Sequence, residues 1–188
     1  MNNIQVTDWY RSFIKQQVKP GDLCIDATMG NGNDTLLLCQ LAGPSGHCIS
    51  FDIQKEALLH TKALLESKGI PGSSYTLLLK SHESLGSHAE SESVSCIVFN
   101  LGYLPSGDHI LATKPGSTLT AIEQGLSLLK KGGLMAICIY SGGDSGFEER
   151  DAVLDYLKRL NPKYFLVIVS EYYNRPNNPP IPALVIRL

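Results

Sequence analysis

The sequence predicts an α/β protein built on one doubly wound sheet of seven strands, mostly parallel, with an antiparallel last strand. Three observations predict it. Short apolar runs alternate with segments of helical periodicity along nearly the whole chain. The first of those runs breaks into a glycine turn that opens a helix, the usual start of a parallel β-α-β unit. The last connection has no helical pattern and holds Pro176, Pro179, Pro180 and Pro182, so the final strand enters antiparallel beside its neighbour.

The elements follow in order. A helix over 6–17 stops at Val18-Lys19-Pro20-Gly21. Leu23, Cys24 and Ile25 then read as a strand over 23–27 covered on both faces. Asp34 sits in the first turn of a helix over 33–42, where the helix dipole favours an acid. The turn Gly43-Pro44-Ser45-Gly46 leads to strand 47–52 and helix 54–67. The break Gly69-Ile70-Pro71-Gly72 leads to strand 75–80 and a short helical segment near 82–88. Strand 94–99 runs into the loop Asn100-Leu101-Gly102-Tyr103-Leu104-Pro105. Helix 117–130 stops at Lys131-Gly132-Gly133, a cation followed by glycines. Strand 134–140, helix 145–160, strand 164–170 and strand 183–188 complete the set. A chain of 188 residues buries a sizeable core, and residues 1–188 read as one domain with the helix of 1–20 packed on it.

Composition narrows the class. No apolar run reaches the length of a membrane span, and Met1-Asn2-Asn3 with its polar sequel lacks a signal-peptide profile, so no membrane partner is expected. Five cysteines lie apart in apolar segments with no C-x-x-C pair, which argues against a disulfide framework or a metal site and for a reducing cytoplasm. The first 94 residues carry 7 Lys and Arg against 10 Asp and Glu, and the last 94 carry 9 against 8. That balance permits an RNA partner without indicating one.

The glycine turn carries the first chemical signal. Asp26 ends the first strand, and Gly30 and Gly32 let the backbone approach a ligand closely. Asp52 ends the second strand about 20 residues on, where a carboxylate accepts the ribose hydroxyls of a nucleoside. A dinucleotide turn has a third glycine, and its pyrophosphate lies where Asp26 would stand. Here the third position is Thr35. The acid favours a nucleoside with a cationic tail instead of phosphates, and S-adenosyl-L-methionine meets that description. Asp26, Thr28, Gly30, Asn31, Gly32, Asn33 and Asp34 are expected around its methionine part, with Asp52, Ile53 and Gln54 at the ribose end. Ser81, His82 and Glu83 follow the third strand, where the adenine would lie. Either His82 touches the ligand or the triplet only caps a helix. A doubly wound sheet that closes with an antiparallel hairpin is the Rossmann-like class I methyltransferase architecture.

The acceptor is read from the fourth strand's end. Asn100-Leu101-Gly102-Tyr103 is similar to the (Asp/Asn)-Pro-Pro-(Tyr/Phe) motif of methyltransferases that modify amino groups, with Leu-Gly in place of Pro-Pro. The Asn100 amide oxygen and the Leu101 carbonyl would accept from an amine and aim its lone pair at the sulfonium methyl, while Tyr103 stacks on a base. Asn100 would border the donor as well. Pro105 and His109 belong to the same substrate loop. Tyr140 after the fifth strand, and Tyr173, Arg175, Asn177 and Asn178 before the seventh, suit an unpaired nucleotide held by stacking and edge contacts. The bland alternative for the second group is a rigid proline turn. Cys96 and Cys138 fall inside strands, which excludes the cysteine nucleophile that C5 methylation of a pyrimidine needs.

Four ordered motifs resemble one family: Asp-Ala-Thr-Met-Gly-Asn-Gly-Asn-Asp-Thr at 26–35, Ser-His-Glu at 81–83, Asn-Leu-Gly-Tyr-Leu-Pro at 100–105 and Asn-Asn-Pro-Pro at 177–180. They look like the YtqB-type family of small bacterial class I methyltransferases, long labelled rRNA methylases. The resemblance implies S-adenosyl-L-methionine as donor. Because the family includes a tRNA-modifying enzyme, it also implies tRNA as partner, with the aminomethyl group of 5-aminomethyl-2-thiouridine at the anticodon wobble position as acceptor. It further implies a homodimer. Ser141-Gly142-Gly143-Asp144 departs from the proline-glycine-histidine type of loop expected there. The other readings left open are an rRNA base, a small-molecule amine, or a nucleoside-binding module without catalysis.

Overall fold

Strands that are apolar on both faces must be covered by helices on both sides, and the chain is arranged that way. The computed structural model describes residues 5–101, 115–141 and 146–188. In chain order these form α1 (Val6–Gln17), β1 (Leu23–Asp26), α2 (Asn33–Ala42), β2 (His47–Asp52), α3 (Lys55–Ser67), β3 (Tyr75–Leu79), β4 (Val94–Leu101), α4 (Pro115–Leu128), β5 (Leu129–Ile139), α5 (Gly146–Lys158), β6 (Phe165–Val169) and β7 (Ile181–Arg187). Short 3-10 turns cover Gly72–Ser74 and His82–Ser87. The strands make one sheet in the order β3-β2-β1-β4-β5-β7-β6. Strands β1 to β5 pair in parallel, and β7 runs antiparallel between β5 and β6. The order reverses between β1 and β4, so a crevice opens at their carboxyl ends.

The strands' period of two divides the core. Ile25, Ile49, Ile97 and Phe99 face α4 and α5 through Ala121, Ile122, Leu126, Val153 and Leu157. Cys24, Cys48, Cys96 and Cys138 point to the other face, where Tyr10, Ile14, Leu38 and Leu65 cover them. All five cysteines are buried free thiols. Helix α1 docks through Val6, Tyr10 and Ile14, spaced four residues apart along one stripe. Among the described residues no helix is long and apolar enough to cross a membrane.

Most element ends agree with the sequence expectation to within two residues, and three differences bear on the argument. β4 continues through Leu101 because β5 runs beside it to Ile139, pairing Asn100 with Cys138 and Leu101 with Ile139. Asn100 and Leu101 are therefore strand residues, not the start of a loop. The Lys131-Gly132-Gly133 segment does not terminate a helix. α4 ends at Leu128, and Leu129 already pairs with Val94. Gly132, at φ +76°, lies in the part of β5 where the ladder shifts register between Val94 and Cys96. β7 starts at Ile181, so Pro182 lies inside a strand. It lacks an N–H, but its carbonyl accepts from the Ser170 backbone N–H at 3.0 Å.

Candidate donor and acceptor site

The turn between β1 and α2 is held by its glycines and by Asp52. Gly30 and Gly32 have φ of +47° and +78°. A Cβ on Gly32 would fall 2.7 Å from Thr61 Oγ1 and 2.9 Å from Thr61 Cα, so the turn lies directly on α3. Thr61 Oγ1 also donates to the Gly30 carbonyl at 3.2 Å. Asp52 Oδ2 accepts from the Gly30 N–H at 3.0 Å, and Oδ1 accepts from the Gln54 N–H at 2.9 Å. Each carboxylate oxygen keeps a further lone pair, so the half-buried Asp52 offers two acceptors in fixed directions. Ile53 beside it is 50% exposed and presents an apolar surface at the strand end. A pair of hydroxyls and a purine ring fit those two neighbours. Asn31 and Asn33 lie exposed on the outer side of the turn, and Gln54 is buried.

Asp26, expected to contact the methionine part of the donor, has no exposed surface. Its Oδ2 accepts from Thr35 Oγ1 at 2.7 Å and its Oδ1 from the Thr28 N–H at 3.2 Å. Ser50 Oγ closes the group, 3.1 Å from Thr35 Oγ1. Burial, reinforced by the nearby charge of Asp34, pushes the Asp26 carboxyl up to about 7 against the opposing pull of its two hydrogen bonds. In this structure Asp26 braces the floor of the turn.

Asp34 gathers the side chains around the end of β4. Its Oδ2 accepts from Tyr10 OH at 2.9 Å and from Asn100 Nδ2 at 2.6 Å, and its Oδ1 accepts from Arg11 Nε at 2.7 Å. Tyr10 OH also lies 3.1 Å from Asn100 Oδ1, and the Asn100 backbone N–H donates to Thr28 Oγ1 at 2.7 Å. The two ends of the crevice, β1 and β4, are thus joined through Thr28. Burial and then the charge of Asp34 hold the Tyr10 phenol far above its usual range, so it stays protonated. Burial works against the Arg11 guanidinium, but its hydrogen bond to Asp34 and that residue's charge outweigh the penalty and raise it. Tyr140, just past β5, is raised mainly by burial and then by Cys138, with Asp34 and Arg11 also in electrostatic range. Leu101 turns its side chain into the core and leaves only its backbone for a ligand.

The residues after β3 serve two purposes. Ser81 Oγ accepts from the Glu83 N–H and donates to the Glu83 carboxylate, both at 3.2 Å, so these two cap the 3-10 turn. His82 is buried with its ring edge against Phe99, and its Nε2 has no hydrogen-bond partner among the described residues. Burial lowers its pKa and so favours the neutral ring, against the opposing effect of the Glu83 charge. Tyr173 is fully exposed, and Arg175, Asn177 and Asn178 are exposed beyond it. Both asparagines adopt left-handed backbone, at φ +65° and +45°. Tyr172, not Tyr173, packs against the α1 face. Tyr103, Pro105, His109 and the 142–145 part of the loop after β5 lie outside the described residues.

Sequence reasoning missed Tyr10, Arg11, Thr35, Ser50 and Thr61. The available signal was a polar-tipped ring in the apolar stripe of α1, followed at once by an arginine. Nothing local relates position 10 to positions 34 and 100.

Comparison with known proteins finds relatives over most of the chain. Residues 48–186 match the model of the family described as "Putative rRNA methylase". The chloroplastic tRNA (mnm(5)s(2)U34)-methyltransferase of Arabidopsis thaliana is 34% identical over 175 residues, 88% of this chain and 63% of that protein. The chain therefore spans less than two thirds of that relative's length. A "putative rRNA-methylase" structure from Clostridium thermocellum superposes with a TM-score of 0.95 at 37% identity over all of both chains. A "putative methyltransferase" of Streptococcus mutans, solved with S-adenosylhomocysteine, gives 0.89 at 35% identity over 98% of this chain and 99% of that one. The chain belongs to this methylase family, with a class I methyltransferase fold, and S-adenosylmethionine is its donor.

Proposed function

We propose that this methyltransferase methylates the amino group of 5-aminomethyl-2-thiouridine at the wobble position of tRNA. The observation that carries the reading is the Asn100 amide. Asp34 holds that side chain, and Thr28 holds the Asn100 backbone N–H, at the end of β4 in the crevice where the strand order reverses. The identity to the Arabidopsis tRNA enzyme supports the RNA acceptor. The donor, when bound, supplies a methyl already activated by its sulfonium. The chain's own residues are left to bind, align and exclude water. Asp52 would hold the ribose hydroxyls. The Asn100 amide oxygen and the Leu101 carbonyl would accept N–H bonds from the amine and direct its lone pair along the line of transfer. As nitrogen gains the methyl, the methyl's bond to the sulfonium sulfur breaks to leave a thioether, and the amine releases one proton to solvent.

Exposed Tyr173, Arg175, Asn177 and Asn178 suit an anticodon loop, through one stacking ring, one phosphate-binding cation and two amides. A homodimer is part of the same reading. The edge strand β6 exposes Leu166, Ile168 and Val169, with Tyr164 and Leu188 nearby, and a second copy would cover them. The buried free thiols suit a reducing, cytoplasmic compartment. The family description favours rRNA as the second acceptor to test.

Nucleoside analysis of bulk tRNA from a strain lacking the protein tests the reading. Accumulation of 5-aminomethyl-2-thiouridine, reversed by the wild-type chain, is the expected result. An unchanged wobble profile overturns it.

A further inference from the structure

Tyr10 stands on α1, away from every strand-end motif in the sequence, yet it reaches the acceptor side. Its hydroxyl lies 2.9 Å from Asp34 Oδ2 and 3.1 Å from Asn100 Oδ1. Asn100 Nδ2 donates to the same Asp34 oxygen at 2.6 Å, and Arg11 Nε donates to the other at 2.7 Å.

These four contacts decide which way the Asn100 amide faces. A carboxylate only accepts, so the amino end of the amide must point at Asp34. The amide oxygen is then left to the Tyr10 hydroxyl, the one side-chain donor within reach among the described residues. The flipped amide would set oxygen against the Asp34 oxygen and leave its own N–H₂ without that acceptor. An amide oxygen has two lone pairs. The single Tyr10 proton is shared between one of them and Asp34 Oδ2, and the second lone pair is left for an incoming N–H. Arg11 offsets the charge that Asp34 brings into a buried place.

We propose that Tyr10, together with Asp34, is a positioning residue that locks the Asn100 amide in the orientation offering its oxygen to the methyl-accepting amine, which makes α1 part of the catalytic unit. This rests on the reading of Asn100 as the group that orients the acceptor. The hydroxyl of Tyr10 does this work, while its ring serves the core, where it is fully buried.

The test is Tyr10→Phe, which removes the hydroxyl and keeps the ring. The first readout needs no substrate: the side-chain amide resonances of Asn100, identified by their loss in Asn100→Ala. They should shift in Tyr10→Phe. The second uses an anticodon stem-loop carrying 5-aminomethyl-2-thiouridine. Tyr10→Phe should lower kcat about tenfold, the loss of one hydrogen bond acting through Asn100, with affinity for S-adenosylhomocysteine unchanged. Added to Asn100→Ala, it should cost nothing more, because both changes remove one interaction. Unmoved amide resonances, or losses that multiply in the double variant, overturn the lock. Full kcat in Asn100→Ala overturns the acceptor reading, and the lock's role with it. If Tyr10→Phe does not fold, Asn100→Asp decides. It sets a carboxylate against Asp34 and should lose more kcat than Asn100→Ala, and retained turnover overturns the proposal.

Discussion

Asn100 at the end of β4 and Asp34 at the start of α2 share a 2.6 Å hydrogen bond from amide nitrogen to carboxylate oxygen. The bond closes the crevice that the strand order opens. It also joins the start of α2 to the end of β4. The division of labour between the two halves can nonetheless be tested separately.

Asp52→Ala removes a carboxylate that holds the Gly30 and Gln54 N–H groups and, on the reading above, two ribose hydroxyls. Hydrogen bonds to a charged group contribute about 1.5–3 kcal/mol each, so S-adenosylhomocysteine affinity should fall on the order of 100-fold. Isothermal titration measures it. Affinity within about threefold of wild type would show that Asp52 serves only the turn.

For Asn100→Ala the expected pattern is the reverse. Turnover should fall about 100-fold, as when a single oriented transition-state contact is removed, while donor affinity stays within about threefold. Steady-state kinetics paired with titration separates the two. Matching losses in both variants would sink the assignment of roles.

Gly32→Ala tests the turn itself. The new methyl meets Thr61 at 2.7–2.9 Å and the residue keeps a φ of +78°, so destabilisation of about 1–3 kcal/mol is expected. Gly43 has a similar φ of +67° with nothing within 4 Å of its Cβ position, so Gly43→Ala should cost less. Thermal unfolding of the two variants side by side gives the answer, and equal drops in Tm would refute the contact with α3.

Asp26 predicts a pH dependence. Its folded pKa is raised to about 7 from 3.8, so the native state binds the proton more tightly than the unfolded chain. Its contribution is fully present below about 4 and is lost as pH rises through about 7. Asp26→Asn should therefore flatten the fall in stability between those limits, as read from denaturant melts at a series of pH values. A carboxyl ¹³C titration with its midpoint below 5 would show that the buried acid is ionised at neutral pH.

The strand and helix order was legible in the residues because an apolar run of four to eight bounded by Gly or Pro is a local signal. Positions 23–27, 47–52 and 94–99 read this way. Element ends were less legible. Leu129–Lys131 look like the end of a helix, and only the neighbouring β4 recruits them into a strand. Asn100 and Leu101 were assigned to a loop because nothing local shows that β5 continues beside them.

By itself the sequence determined the doubly wound architecture, the glycine turn with Asp52 at the next strand's end, and the family. Those properties depend on short-range patterns: strand periodicity, glycines that permit positive φ, and acids at strand ends. Only the tertiary structure decided that Asp26 is withdrawn beneath the turn and that Asp34 gathers Tyr10, Arg11 and Asn100. Those partners are 23 to 66 residues from Asp34, and an ionised side chain taken out of water must find donors wherever the fold brings them.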